Sequence, residues 1–274
     1  MSGLPLTYAA VFRLMVPAIA LWCTLSSLEM LAVLPAFRPT RRALGRDIAV
    51  LRRGRLRRPP WTWLSLPRVS TTIALTRLAA GICLPFADPA IAAVLLIVIG
   101  GCTVALSIAT EGSDGADKIA LIACAAATLV DGGLLSNDRS LCLAGVAWAT
   151  GQLTIAYVTS GAAKLVRPFW RDGSALAAAM TSYQSGHPIV ARVVRNRSAA
   201  LVLAWSLMFL EVLFPLALIS PAPVALAILI VFAIFHFSTA AFMGLSTYPW
   251  AFMATYPCVF MANALIRCAF GLPT

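Results

Sequence analysis

The chain has 274 residues, of which 61% are hydrophobic and only 11% are charged, and its mean hydropathy is +0.89. A soluble domain carries about 25% charged residues, so this composition excludes an ordinary soluble protein. The net charge of +11 would suit a nucleic-acid-binding protein, but most of the basic residues fall in two loops between hydrophobic segments. That distribution is typical of membrane proteins, whose Lys/Arg-rich loops lie at the lipid headgroups, and it argues against nucleic acid as a partner.

Hydrophobic segments, each near the length of about 20 residues that a bilayer requires, follow one another along the chain. The predicted fold class is therefore all-α: a polytopic transmembrane bundle of about eight helices with no sizeable soluble domain. We treat residues 1–274 as a single transmembrane domain, because the spans leave almost no sequence for another one. The predicted spans are 8–36, 70–87, 90–110, 118–136, 140–163, 199–219, 222–243 and 250–271.

Two long basic loops, at 38–69 and 164–198, separate the predicted spans. The first carries ten arginines against Asp47, and the second carries Lys164 and five arginines against Asp172. Four spans lie between the loops, so both loops occupy one face of the membrane. The positive-inside rule predicts that this face is the cytoplasmic side of the cell membrane, with membrane lipid as the partner of the loops. The first loop could instead dock an acidic partner.

All seven cysteines fall within apolar segments, and no two of them form a Cys-x-x-Cys pair. Cysteines in such surroundings are usually small packing residues. The sequence therefore predicts neither a disulfide framework nor a metal site.

A short polar signature ends the fifth predicted span. It runs from Tyr157 to Gly173 and reads YVTSGAAKLVRPFWRDG. Lys164 is expected where lipid meets water, about one helical turn after a glycine, Gly161, that allows another helix to come close. A lysine at that depth is costly unless it is paired, reaches water or performs chemistry. The signature is therefore the strongest indication of function in the sequence.

Several ionisable residues of other spans are expected near the depth of Lys164, because antiparallel spans return to the same face. His236 lies about 10 Å from that face at 1.5 Å per residue. Tyr157 precedes Lys164 by about two turns on nearly the same helix face, and Asp117 precedes the fourth span. These residues predict a membrane-embedded cup in which a partly desolvated lysine could act as a base. Alternatively, Lys164 only anchors its helix, and His236 is a hydrogen-bonding core residue.

The remaining ionisable residues of the spans have structural interpretations. Arg13, Arg77 and Asp131 lie near the predicted ends of their spans, from which their side chains could reach the headgroups. Glu211 lies inside the sixth span, where we expect it to face the bundle, either protonated or paired with an arginine.

The chain resembles the HTTM family, a transmembrane domain shared with vitamin K-dependent gamma-carboxylase. The likeness covers nearly the whole chain and rests on blocks that occur in the same order. Glu211 followed by Phe214-Pro215 also fits the sixth span of the family. The blocks are the apolar-Arg opening at Arg13; Tyr157-x-x-x-Gly161-x-x-Lys164 followed by Trp170-x-x-Gly173; and His236 followed by Met243-Gly244-Leu245 and Tyr248-Pro249-Trp250.

The resemblance implies a role for Lys164, because the matching lysine of the carboxylase deprotonates vitamin K hydroquinone. It implies a membrane enzyme acting on a quinone-like or lipidic substrate, with a quinone as the candidate cofactor. The chain departs from the carboxylase in having Asp117-Lys118 where the carboxylase has a histidine, and in lacking the large extracytoplasmic domain that holds the peptide substrate. We therefore do not expect full carboxylation of glutamate.

A second function is left open by the resemblance. Small bacterial members of the family include a membrane protein needed to mature a secreted sporulation-delaying toxin. The chain could accordingly be a non-enzymatic maturation or export partner of a secreted peptide, with that peptide or another membrane protein as its partner. The membrane orientation is open as well, since the carboxylase active site faces the lumen whereas the arginine-rich loops favour the cytoplasm.

Overall fold

The computed structural model describes residues 6–33, 63–110, 114–182 and 186–272. Within these ranges the regular structure is helical, without any β-strand, and seven helices are long and apolar enough to cross a membrane. The predicted all-α polytopic membrane fold is therefore confirmed. Nine arginines of the first basic loop, from Arg38 to Arg58, lie outside the described residues together with Asp47.

The described chain divides into two compact units, and the first covers residues Tyr8–Gly145. Helix α1 packs on α2 and α4, while α3 packs on both α2 and α4. A short 3-10 turn, Leu84–Phe86, extends α2 to the length of a span. The helices are α1 (Tyr8–Val33), α2 (Pro67–Cys83), α3 (Pro89–Thr110), α4 (Gly115–Leu135) and the first residues of α5 (Arg139–Leu165).

Small residues allow helices of this unit to approach closely. A Cβ on Gly81 of α2 would lie 2.8 Å from the Cys23 sulfur of α1. A Cβ on Gly145 of α5 would lie 2.7 Å from the Ala126 carbonyl oxygen of α4. Membrane helices associate mainly through such close packing, because lipid provides no hydrophobic driving force between them.

The second unit covers the described residues after Gly145, together with Leu6 and Thr7. The predicted loop at 164–198 is folded here into three short helices, α6 to α8. The prediction of a single domain over the whole chain stays a prediction. After α5, the helices are α6 (Pro168–Arg171), α7 (Ser174–Thr181), α8 (Pro188–Val194), α9 (Arg197–Val212), α10 (Leu216–Ile219), α11 (Ala222–Met243), α12 (Tyr248–Met253) and α13 (Tyr256–Ala269).

The predicted sixth span, 199–219, is not one continuous helix. Helix α9 ends at Val212, and α10 contains only Leu216–Ile219. Pro215 explains the break, because proline has no N–H to donate and its ring collides with the carbonyl four residues earlier. At the other end of α9, a bend of 104° separates this helix from α8. The two helices would form an eighth span only if they were counted together as a single span.

Side chains of α13 hold the end of the broken span. Asn263 donates from Nδ2 to the carbonyl oxygens of Ala217, at 3.0 Å, and Ser220, at 2.9 Å. Arg267 donates from Nη1 to the carbonyl oxygen of Ile219 at 2.8 Å. The last carbonyls of a helix have no partner within the helix, so these bonds satisfy groups that would be costly to bury.

Candidate functional site

Lys164 and Glu211 form a salt bridge between α5 and α9. The Lys164 Nζ lies 2.5 Å from Oε2 and 2.7 Å from Oε1 of Glu211. The two side chains are only 16% and 7% exposed. Ser160, one turn before Lys164, completes the cluster, because its hydroxyl accepts from Nζ at 2.7 Å and donates to Oε1 at 3.3 Å. The sequence predicts that Glu211 is either protonated or paired with an arginine. In the structure its partner is Lys164 instead.

Gly161 makes this pairing possible. A Cβ at Gly161 would lie 2.7 Å from Cγ2 of Val212 and 3.0 Å from both the Val212 nitrogen and the Glu211 Cβ. Since real Cβ atoms do not approach other heavy atoms so closely, α5 and α9 can touch here only at a glycine. The predicted role of Gly161 in close helix approach is consistent with this geometry.

Deeper on α5, Tyr157 is bonded to His236 of α11. The Tyr157 hydroxyl lies 2.6 Å from Nε2 of His236, and the two residues are 4% and 2% exposed. The Phe252 ring stacks on the His236 ring, with centroids 3.8 Å apart. The Tyr157 ring also packs against Phe214 and Phe232, at 4.6 and 4.4 Å. A polar pair thus lies inside an aromatic cluster.

The two polar clusters are connected along one face of α5. Tyr157 and Lys164 are seven residues apart, which is close to two helical turns. The Glu211 carboxylate acts electrostatically on Tyr157, and the Tyr256 hydroxyl of α13 lies close to the Tyr157 hydroxyl. Among the described residues, Nδ1 of His236 has no hydrogen-bond partner. A column of polar groups therefore runs along α5.

The second half of the signature closes over Lys164. The Trp170 ring centroid lies 5.4 Å from Nζ of Lys164. Asp172 accepts the backbone N–H of Ser174 at 2.9 Å, and hydrogen bonds from Ser174 hold the pKa of the Asp172 carboxyl below its usual value. Gly173 has φ +80°, and a Cβ there would lie 2.8 Å from the Leu201 nitrogen. Trp170, Asp172 and Gly173 therefore shape the turn that places an indole beside the lysine.

Asp117 lies in the first unit, where its charged neighbours are Asp114 and Arg77. Arg77 is 1% exposed and donates to the hydroxyls of Ser27 and Ser26, both at 2.9 Å. Asp117 interacts electrostatically with Arg77 and also with the Ser26 hydroxyl. The Trp22 ring centroid lies 5.6 Å from the Arg77 guanidinium carbon. Sequence reasoning missed this network, although Ser26 and Ser27 of α1 could have indicated polar partners.

Two predictions about span ends are wrong. Arg77 does not reach the headgroups, because it is held by α1. Asp131 is 1% exposed, and neither of its carboxylate oxygens has a hydrogen-bond partner among the described residues. Arg13, by contrast, is exposed on α1. The described residues contain no group of three or more His, Cys, Asp or Glu side chains suited to a metal.

A family model described as the HTTM domain matches residues 126–263, about half of the chain. The chain belongs to the HTTM domain family. It is thus a multi-pass membrane protein of a carboxylase-like family. No curated protein and no solved structure matches the chain. The HTTM match contains both pairs of the second unit, Lys164 with Glu211 and Tyr157 with His236, whereas Arg77 and Asp117 precede it.

Proposed function

We propose that the protein is a membrane enzyme in which Lys164, paired with Glu211, acts as the base on a quinone-like or lipidic substrate. The observation that supports the proposal is the salt bridge itself, in which an amine and a carboxylate are held largely out of water at the end of a membrane span. An isolated lysine at this depth would be costly. A paired one can stay there and remain available for proton transfer.

The pair supports base chemistry because its proton can move without leaving a charge unbalanced. A lysine ammonium cannot accept a proton. When one proton of the Lys164 ammonium passes to Glu211, the pair becomes a neutral amine beside a neutral carboxylic acid, and no isolated charge is buried. The Lys164 amine can then take the proton of a substrate hydroxyl. The products are a substrate oxyanion and the Lys164 ammonium, which stabilises that oxyanion at close range.

The surroundings of Lys164 suit a flat, weakly polar substrate. The side chain is 16% exposed, and so it is not sealed in the core. The Trp170 ring, 5.4 Å from Nζ, offers an aromatic face against which a ring could stack. A hydroquinone has both features that this arrangement would recognise, an aromatic ring and an acidic hydroxyl.

We place the protein in the cell membrane with the Lys164 end of α5 on the cytoplasmic side. Five arginines lie in residues 164–198 against the single acid Asp172, whereas the opposite end of α5 carries Arg139 and Asp138. This asymmetry is the one that the positive-inside rule uses.

Oxidation of a reduced naphthoquinone by dissolved oxygen tests the proposal, with the protein in lipid nanodiscs. The hydroquinone anion is oxidised faster than the neutral form, so a base that forms the anion accelerates quinone appearance. Wild-type protein and the control Lys118→Met should accelerate the reaction, and Lys164→Met should not. A folded Lys164→Met protein that retains the wild-type rate would overturn the role of Lys164 and favour a non-enzymatic maturation partner.

A further inference from the structure

The bond between Tyr157 and His236 is unusual for its surroundings. Both residues are buried, and the neighbouring rings of Phe214, Phe232 and Phe252 form an apolar cluster around them. A phenylalanine at position 157 would fill nearly the same volume without burying a hydroxyl. Burying a polar group is costly when it has no hydrogen-bond partner, and among the described residues Nδ1 of His236 has none. Packing alone therefore does not account for this pair.

The position of the pair on α5 is informative. Tyr157, Gly161 and Lys164 lie on one face of the helix, because their spacings of four and three residues correspond to successive turns. Tyr157 contacts α11, while Gly161 and Lys164 contact α9. A rotation of α5 by one residue, about 100°, would remove all three contacts together.

We propose that Tyr157 and His236 are positioning residues, which hold α5 at the rotation and depth at which Lys164 meets Glu211. A hydrogen bond has a narrow range of distance and angle, whereas aromatic packing tolerates sliding. The bond to α11 therefore specifies the height of α5, and Gly161 lets α9 close on it. The importance of this positioning for activity rests on the proposed function, whereas the positioning of Lys164 beside Glu211 does not.

Few titratable groups face this region from the packed helices. Among the described residues, Glu211 is contributed by α9, His236 by α11, Tyr248 by α12 and Tyr256 by α13, while Tyr157 and Lys164 belong to α5. A change at Tyr157 or His236 can therefore reach Lys164 by moving α5 or through the electrostatic interaction of Tyr157 with Glu211. Both routes would change how firmly the carboxylate holds the ammonium.

Amine-selective labelling tests the proposal directly, because the chain has only two lysines, Lys118 and Lys164. Lys118 is exposed and serves as the internal standard. The protein in nanodiscs is treated with an N-hydroxysuccinimide ester over a range of pH, and the two sites are quantified by peptide mass spectrometry. In Tyr157→Phe/His236→Phe, where both polar groups are removed together, Lys164 should react about tenfold faster relative to Lys118, because Glu211 then holds the ammonium less firmly.

Three further variants separate positioning from structural support. His236→Gln offers an acceptor for the Tyr157 hydroxyl and should restore slow labelling. Ser238→Ala removes a hydroxyl of α11 that bonds the Ile234 carbonyl oxygen of its own helix and should leave the labelling profile unchanged. Tyr157→Phe alone is a milder change that should also accelerate labelling of Lys164. It takes the place of the double variant if that variant fails to fold.

A structural role predicts a different result. In that case the variants would lower the unfolding temperature while the folded protein kept the wild-type labelling profile of Lys164, and this outcome would overturn the proposal. Labelling reports the environment of Lys164 with or without activity. A failed hydroquinone assay together with accelerated labelling would therefore remove the proposed function and retain the positioning role.

Discussion

Lys164 and Glu211 meet at the C-terminal turns of two different helices, with Nζ 2.5 and 2.7 Å from the two carboxylate oxygens. The C-terminal end of a helix carries a partial negative charge that stabilises a nearby cation. The ammonium is therefore favoured by both helix ends as well as by the carboxylate. This arrangement explains how a lysine can be retained at the end of a membrane span with little exposure to water.

The close approach at Gly161 can be tested by adding one methyl group. Gly161→Ala would place a Cβ 2.7 Å from Val212 Cγ2 and 3.0 Å from the Val212 backbone nitrogen. We expect it to destabilise the protein by about 1–3 kcal/mol, as overpacking generally does. Thermal unfolding in detergent measures the change.

The same helix offers a matched control. A Cβ at Gly151 of α5 would meet nothing within 4 Å. Because alanine is the better helix former, Gly151→Ala should stabilise the protein by up to about 1 kcal/mol. Equal effects of the two substitutions would show that α5 and α9 are not in close contact at Gly161.

Much of the fold could be predicted from the sequence because hydrophobic length is a local property. Most span limits agree with the helices within a few residues, as at 222–243 and Ala222–Met243. The break in the sixth span could not be predicted from hydropathy alone, because Phe214-Pro215 is as apolar as its neighbours. Only the backbone chemistry of Pro215 indicates the break.

The sequence indicates some residues of the candidate site but not how they pair. Tyr157, Lys164 and His236 stand out in the sequence, and helical spacing places the first two on one face. The partner of Lys164 depends on how α9 packs against α5, a tertiary contact that spacing within one helix cannot specify. The prediction that Arg77 reaches the headgroups fails for the same reason, because the hydroxyls that accept its hydrogen bonds belong to another helix.

The Arg77 network predicts coupling with Asp117. Removing one member of a buried charged network is costly, so Arg77→Met should destabilise the protein by about 3–5 kcal/mol. In a double-mutant cycle with Asp117→Asn, measured by unfolding, the two changes should couple by at least about 0.5 kcal/mol. Strictly additive effects would contradict the assignment of Asp117 to Arg77.

The membrane orientation predicts which end of α5 is accessible from outside the cell. Ser140→Cys and Val166→Cys place thiols at the two ends of this 27-residue helix, in a background where the exposed Cys83 and Cys268 are replaced by serine. A membrane-impermeant maleimide added to intact cells should label position 140 and not position 166. The opposite pattern would reverse the proposed orientation.

The acid–base role of the salt bridge is tested most directly by replacing both charges together. Lys164→Met/Glu211→Gln preserves the approximate volume and leaves no buried charge without a partner, so the variant should fold with an unfolding temperature close to that of the wild type. The measurement is its rate of hydroquinone oxidation in nanodiscs, compared with that of wild-type protein at equal folded concentration. We expect a rate no faster than that of empty nanodiscs, whereas a rate equal to that of the wild type would contradict the acid–base role of the pair.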